Sequence, residues 1–122
     1  MKFMMFIKHQ EVSRDVKVPK ALNDAMGEFV TRSFASGVLK ETNGLQPTAK
    51  GKRIRSKGGK LKTTDGPFTE AKEVVGGYAI VEAKTYEEAM KVATEFMELH
   101  ARHWPEFECE CEVRPLEADA QR

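Results

Sequence analysis

The sequence lacks the features that mark membrane, secreted and disordered proteins. It contains no run of 18 apolar residues, so we expect no membrane-spanning helix. The apolar stretch after Met1 stops at Lys8 without a small-residue cleavage site, which predicts that there is no signal peptide. Apolar residues make up 40% and charged residues 32% of the 122 residues, a composition that argues against wholesale disorder. We therefore expect a single soluble, cytoplasmic domain with its own core.

Cysteine is scarce as well, with only Cys109 and Cys111 in the chain, separated by one residue. In a strand, side chains two residues apart point the same way but diverge too far for an easy disulfide. We interpret both as reduced core residues and keep a redox or metal role as the alternative. We expect no cofactor.

The net charge of +1 hides two opposed halves of the chain. Residues 1–62 carry 14 Lys/Arg against 5 Asp/Glu, whereas residues 63–122 carry 6 against 14. Such halves can pair within a domain or between subunits, and they argue against a uniformly basic nucleic-acid-binding protein. Seven of the residues 50–62 are basic, but none is an aromatic that stacks on bases. We expect this segment to be a solvated hairpin and nucleic acid to be no partner.

Two helices are predicted from their apolar spacing and their ends. Pro19 suits a first turn, and Gly37 can adopt the left-handed conformation that caps a helix. Gly27 lies inside this helix, which favours close packing at that position. Thr85 and Glu88 have the spacing of a capping box, so the second helix begins there.

Strands are predicted at residues 2–8, 38–41, 76–83 and 107–113, with a hairpin turn at Gly58-Gly59. This order predicts an α+β fold, a ferredoxin-like split βαβ sheet with a β-hairpin insertion and both helices on one face. Because the first strand is apolar on both sides, the other face also needs cover. The uncovered set is Met4, Phe6, Tyr78 and Ile80, or their alternates. We therefore expect a homodimer in which two sheets form a dimeric α+β barrel.

Four segments together resemble a known family: Leu45-Gln46-Pro47, Thr64-Asp65-Gly66-Pro67-Phe68-Thr69-Glu70-Ala71-Lys72-Glu73, Gly76-Gly77-Tyr78 and Glu112-Val113-Arg114-Pro115. With them the chain resembles the DGPF family of the YCII-related superfamily over residues 1–116, which leaves 117–122 as a tail. The resemblance implies the dimeric α+β barrel. Some relatives act on small organic compounds, one of them as a dehydrochlorinase-type lyase, and others are associated with sigma factors.

The resemblance also implies a candidate catalytic pair. A His–Asp pair has been proposed as the active site of some YCII-related proteins, and Asp65 matches the acid of the motif. His9, at the end of the first strand, is the candidate partner, with a reference pKa near neutral pH. The residues alone leave alternatives open: Asp65 as a turn residue that satisfies backbone donors, and His9 as an exposed loop residue.

Four further residues are candidates for ligand binding. Phe68 and Tyr78 can line a pocket, the alternative being core packing or a dimer interface. His100 and His103 are spaced so that one helix face presents both, but no third ligand can be placed. We therefore predict no metal site and keep a polar helix terminus as their alternative role.

These observations favour a protein that binds a small molecule, with a lyase or isomerase activity using Asp65 and His9 as one interpretation. The alternative is a non-enzymatic accessory or sensor protein, linked to sigma factors, that acts through protein contacts. Whether the chain is an enzyme stays open at this point.

Overall fold

A computed structural model describes residues 1–11, 16–68 and 71–119. The helices and strands are, in chain order, β1 (Lys2–His9), α1 (Lys20–Ser36), β2 (Leu39–Gly44), β3 (Lys52–Lys57), β4 (Lys60–Asp65), β5 (Val74–Glu82), α2 (Tyr86–His103) and β6 (Glu110–Pro115). One short 3₁₀ turn, Thr48–Lys50, lies between β2 and β3, and another, Glu117–Asp119, follows β6. The predicted tail, residues 117–122, lies partly outside the described residues.

Four strands form one antiparallel sheet in the order β2-β5-β1-β6, and β3 and β4 form a separate hairpin. With the hairpin set aside, the chain order is β-α-β-β-α-β, which confirms the ferredoxin-like α+β prediction. The first and last strands of the domain, β1 and β6, lie side by side, so the ends of the domain meet in the sheet.

The core lies between this sheet and the two helices. Phe3 and Met5 of β1 and Val81 of β5 supply its centre, with Ala89 and Ala93 of α2 packed above them. Phe3 and Val81 are fully buried, and burial of such a side chain contributes roughly 1.5–3 kcal/mol. The residues that alternate with them occupy the opposite, open face of the sheet: Met4, Phe6, Tyr78 and Ile80.

The helix ends agree with the predictions in most respects. Gly37 adopts the left-handed conformation, with φ 85°, and its N–H donates to the Phe34 carbonyl. Thr85 accepts a hydrogen bond from the Glu88 N–H at 3.1 Å. The return bond of the capping box runs from the Lys84 N–H, rather than from Thr85 itself, to Glu88 Oε2 at 3.0 Å.

Two local predictions were wrong. No close packing exists at Gly27, because a Cβ built there meets nothing within 4 Å. The last strand begins at Glu110 and not at residue 107. Phe107 continues the alternating pattern but instead stacks on Trp104, with ring centroids 4.3 Å apart.

The hairpin is confirmed and stands apart from the core. Gly58 and Gly59 have φ values of 58° and 79°, so both occupy the left-handed region that a two-residue turn of this type requires. Every residue of β3 and β4 is exposed. In the described part of the chain, neither helix is long and apolar enough to cross a membrane.

Candidate functional site

A cleft of about 530 Å³ lies where the hairpin joins the four-stranded sheet. Phe68 and Val74 form its apolar floor, each about 8% exposed. Its walls come from the segment after β2, the base of the hairpin and the start of β5: Leu45, Gln46, Pro47, Thr48, Lys50, Gly51, Arg53, Glu73 and Val75. The cleft therefore combines apolar surface with both signs of charge.

The Asp-Gly-Pro-Phe segment holds this cleft together. A Cβ at Gly66 would lie 1.6 Å from the Thr48 carbonyl oxygen, so only glycine fits this approach of two backbones. The Gly66 N–H donates to the Gly51 carbonyl at 2.9 Å, and the Phe68 N–H donates to the Thr48 hydroxyl at 3.3 Å. These contacts fix the Phe68 ring in the floor, where it lies 3.7 Å from a Cβ built at Gly51.

Charge enters the cleft from the base of the hairpin. The Arg53 guanidinium lies over the Phe68 ring, 3.9 Å from its centroid, a cation–π arrangement. Lys50 adds a second cation to the wall and Glu73 a carboxylate. The sequence singled out Phe68 but missed these three as site residues. The only signal was that Lys50 and Arg53 lie in the basic segment and Glu73 in the family motif.

Asp65 lies outside the cleft. Its carboxylate pairs with Lys52 Nζ at 2.6 Å, and its side chain is 74% exposed. Lys52 and Asp65 are register partners, so they share one face of the hairpin, whereas Arg53 belongs to the other face. Asp65 is therefore separated by the width of the hairpin from the guanidinium that faces Phe68.

His9 lies at the end of β1, opposite Val74 of the cleft floor. Its Nδ1 is 2.6 Å from the Gln10 carbonyl, which can only accept, so Nδ1 carries the proton and Nε2 is the basic nitrogen. A Cβ at Gly76 would lie 2.2 Å from Nε2, so this glycine makes room for the ring. The described hydrogen bonds do not join His9 to Asp65, and their pairing stays a prediction.

The two helical histidines differ in their surroundings. His100 is 7% exposed and packs on Phe96, with ring centroids 4.6 Å apart. Its Nδ1 donates to the Phe96 carbonyl at 3.0 Å. His103 lies in the last turn of α2 and is partly exposed. Among the described residues, no group of three or more His, Cys, Asp or Glu side chains is placed to hold a metal ion.

Tyr78 lies on the open face of the sheet and not in the cleft with Phe68. Its hydroxyl donates to the Glu41 carboxylate on the neighbouring strand β2, and this bond raises the pKa of Tyr78. The Arg114 guanidinium also faces an aromatic ring on this side of the sheet, 5.6 Å from the Phe6 centroid. The predicted ligand residues thus fall into separate places.

An ion cluster borders the open face along β6. Lys8 Nζ lies 3.0 Å from Glu112 and 3.2 Å from Glu110, and these carboxylates raise the pKa of Lys8. Glu112 also accepts from Arg114 Nε at 2.9 Å. Lys8 is the register partner of Val75 in the cleft wall, so the cluster begins one strand away from the cleft and extends to β6 at the sheet edge.

The two cysteines are unbridged and lie at this same edge. Burial, with a smaller contribution from Cys109, raises the pKa of Cys111 to about 11, so its thiol is protonated at neutral pH. Burial also raises the pKa of Cys109. Protonated thiols are poor nucleophiles and metal ligands, which agrees with a packing role for both.

Comparison with known proteins places this architecture in a family. No curated protein shows significant similarity to the chain. The family model of the YCII-related domain matches residues 1–103, a span that includes the sheet up to β5, both helices, the hairpin and the whole cleft. The chain belongs to the YCII-related domain family.

Proposed function

We propose that the chain is a DGPF-type, cytoplasmic homodimer that binds a small organic anion in the cleft beside Phe68. The observation that supports this proposal is the stacking of Arg53 on Phe68 above an apolar floor. A ligand with a flat apolar body and one carboxylate matches both parts of the cleft.

The Arg53 guanidinium is the group that binds the carboxylate in this proposal. It carries five N–H donors in a rigid plane, so it can bind a carboxylate through two parallel hydrogen bonds while it keeps other contacts. Stacking on Phe68 holds that plane in place and lowers the entropy lost on binding. Phe68 and Val74 offer the ligand body an apolar surface, and Lys50 adds positive charge at the wall.

Calorimetric titration with small aromatic and aliphatic carboxylates, each beside its neutral primary amide, tests this proposal. We expect the acids to bind and the amides to bind at least about tenfold more weakly, because a hydrogen bond to a charged group contributes roughly 1.5–3 kcal/mol. Arg53→Gln should remove the preference for the acid, whereas Arg102→Gln on the exposed side of α2 should keep it. Equal binding of acid and amide would refute the proposal.

The dimer part of the proposal concerns the open face of the sheet. Met4, Phe6, Tyr78 and Ile80 form an apolar centre there, which a second sheet can cover. Ile80→Asp should convert the dimer into a folded monomer, as measured by sedimentation or light scattering. Met90→Glu places the same charge on an exposed apolar position of α2 and should leave the dimer intact. A wild-type chain that is monomeric at high concentration would contradict this part.

Acid/base catalysis of a lyase or isomerase type is the further part of the proposal. His9, whose register partner Val74 lies in the cleft floor, is the base that the structure supports better, since Nδ1–H donates to a carbonyl and Nε2 is then the nitrogen that can accept a proton. His9→Ala should abolish turnover of a bound acid without loss of binding. Asp65→Asn should do the same if Asp65 takes part, and unchanged turnover would remove it from the mechanism.

The alternative function, an accessory or sensor protein, is favoured by one observation. The hairpin exposes Ile54 and Leu61, at 69% and 74%, on one face and a row of cations on the other. Such a surface is typical of sites that contact another protein. Charge reversal at Arg53 and Arg55 should then break a complex in a pull-down, and an unaffected complex would count against this function.

A further inference from the structure

The hairpin has two chemically different faces, which only its register reveals. Arg55 pairs with Lys62 and Lys57 pairs with Lys60 across the two strands. Residues that pair directly share a face, so these four cations form one surface, here called the basic face. The other face carries Ile54 and Leu61.

Repulsion among the cations of the basic face destabilises the hairpin as long as that face contacts only water. Like charges that lie directly opposite each other destabilise an antiparallel pair, and a two-stranded hairpin is only marginally stable by itself. An ion pair between Lys52 and Asp65 lies on the other face. A carboxylate-rich surface brought against the basic face would remove the repulsion.

Such a surface exists on the same chain, along β6. Glu110 and Glu112 alternate in β6, Glu108 lies just before it, and the three are here called the acidic edge. The Glu110 side chain is 64% exposed, and the ion pairs of the acidic edge within the described chain go to Lys8 and Arg114. Because β6 ends the sheet, no strand of the described residues pairs with its outer side.

The two surfaces match in spacing as well as in sign. Alternate residues of a strand are about 6.8 Å apart, so cations in alternate positions of one strand can meet glutamates in alternate positions of another. In one copy the described contacts do not join the two surfaces, because the ion pairs of the acidic edge go to Lys8 and Arg114 and β6 is the sheet edge opposite β2.

We propose that the basic face of one copy docks along the acidic edge of a second copy. Two copies related by a twofold axis would make this contact twice, since each supplies one hairpin and one edge. A nucleic acid is a poorer occupant, because the hairpin offers no aromatic side chain for base stacking. The inference rests on the proposed homodimer and adds a second, electrostatic contact to the apolar one.

The test is a charge swap measured by sedimentation equilibrium at low and high salt. The variant R55E/K62E should raise the dimer dissociation constant at least about tenfold at low salt, and much less at high salt. Adding E108K/E110K to it should restore association to within a few-fold of wild type. K91E/R102E changes the net charge equally on the exposed side of α2 and should leave the constant unchanged.

The outcomes separate the two proposals. If the wild-type dimer forms but R55E/K62E leaves it unchanged, or if the swapped variant fails to recover, the hairpin contact is refuted while the sheet-face dimer stands. If the wild-type chain is monomeric, the proposed dimer itself fails. If short nucleic acids bind and R55E/K62E abolishes this binding without affecting the dimer, the basic face serves nucleic acid and the inference is overturned.

Discussion

The four-stranded sheet and the basic hairpin are built from strands of similar length, yet different physical terms stabilise them. β1 buries Phe3 and Met5 under two helices, so its hydrogen bonds are supported by apolar burial. In β3 and β4 every side chain is exposed, and the hairpin depends on its glycine turn and its attachment at Gly66. An alternating sequence therefore predicts strand pairing in both regions, but it predicts burial of one face only in the four-stranded sheet.

Truncation of one apolar side chain in each region is expected to give the largest difference in the free energy of unfolding. Phe3→Ala should lower the free energy of unfolding by about 3–5 kcal/mol, because it leaves a cavity in a closed core. Leu61→Ala should change it by less than about 0.5 kcal/mol, because that side chain is 74% exposed. Urea unfolding followed by circular dichroism measures both. A loss at Leu61 as large as that at Phe3 would show that the hairpin is part of the core.

Glycine substitutions sharpen the contrast at the point where the two regions meet. Gly66→Ala should destabilise the fold by about 1–3 kcal/mol and weaken binding in the cleft, since its Cβ would collide with the Thr48 carbonyl. Gly27→Ala is the matched control in a helix with open space around it. It should stabilise by about 0.5–1 kcal/mol. The midpoint temperatures of thermal unfolding of the two variants should shift in opposite directions relative to wild type. An unchanged midpoint for Gly66→Ala would contradict the structure.

The last comparison concerns alkaline pH and the four-stranded sheet alone. Folding raises the pKa of Cys111 from 9.0 to about 11, so the folded state keeps a proton that the unfolded state loses first. The corresponding stability is fully present below about pH 9 and is lost as the pH rises towards about 11. The free energy of unfolding, measured across this pH range, should decline more steeply in the wild-type protein than in Cys111→Ala. Identical slopes would show that the thiol does not contribute.

The fold could be predicted because its signals are local. Gly58-Gly59 indicated the turn, and Thr85 with Glu88 indicated the start of α2. The sequence could not decide which side of β1 faces the helices, since Phe3 and Met5 are no more apolar than Met4 and Phe6. That choice depends on which set meets the side chains of α2, a contact between segments far apart in the chain.

The site was predicted less completely, for the same physical reason. Phe68 was singled out, but the position of Arg53 above it depends on the register of the hairpin and on the backbone approach at Gly66. Asp65 was chosen for its place in the family motif, and strand alternation puts it on the face away from Arg53. The predicted start of the last strand at Phe107 was wrong because alternation alone does not distinguish a strand residue from one that stacks on Trp104.

The contact between Gly66 and Thr48 also limits how this protein can diverge. No residue with a side chain fits at position 66 while that turn is kept, so descendants that retain the cleft retain the glycine. Asp65, whose side chain is exposed to water, can drift as long as Lys52 stays solvated. Within one tetrapeptide, selection for architecture thus falls on the glycine, and a retained Asp65 would reveal selection for something other than the fold.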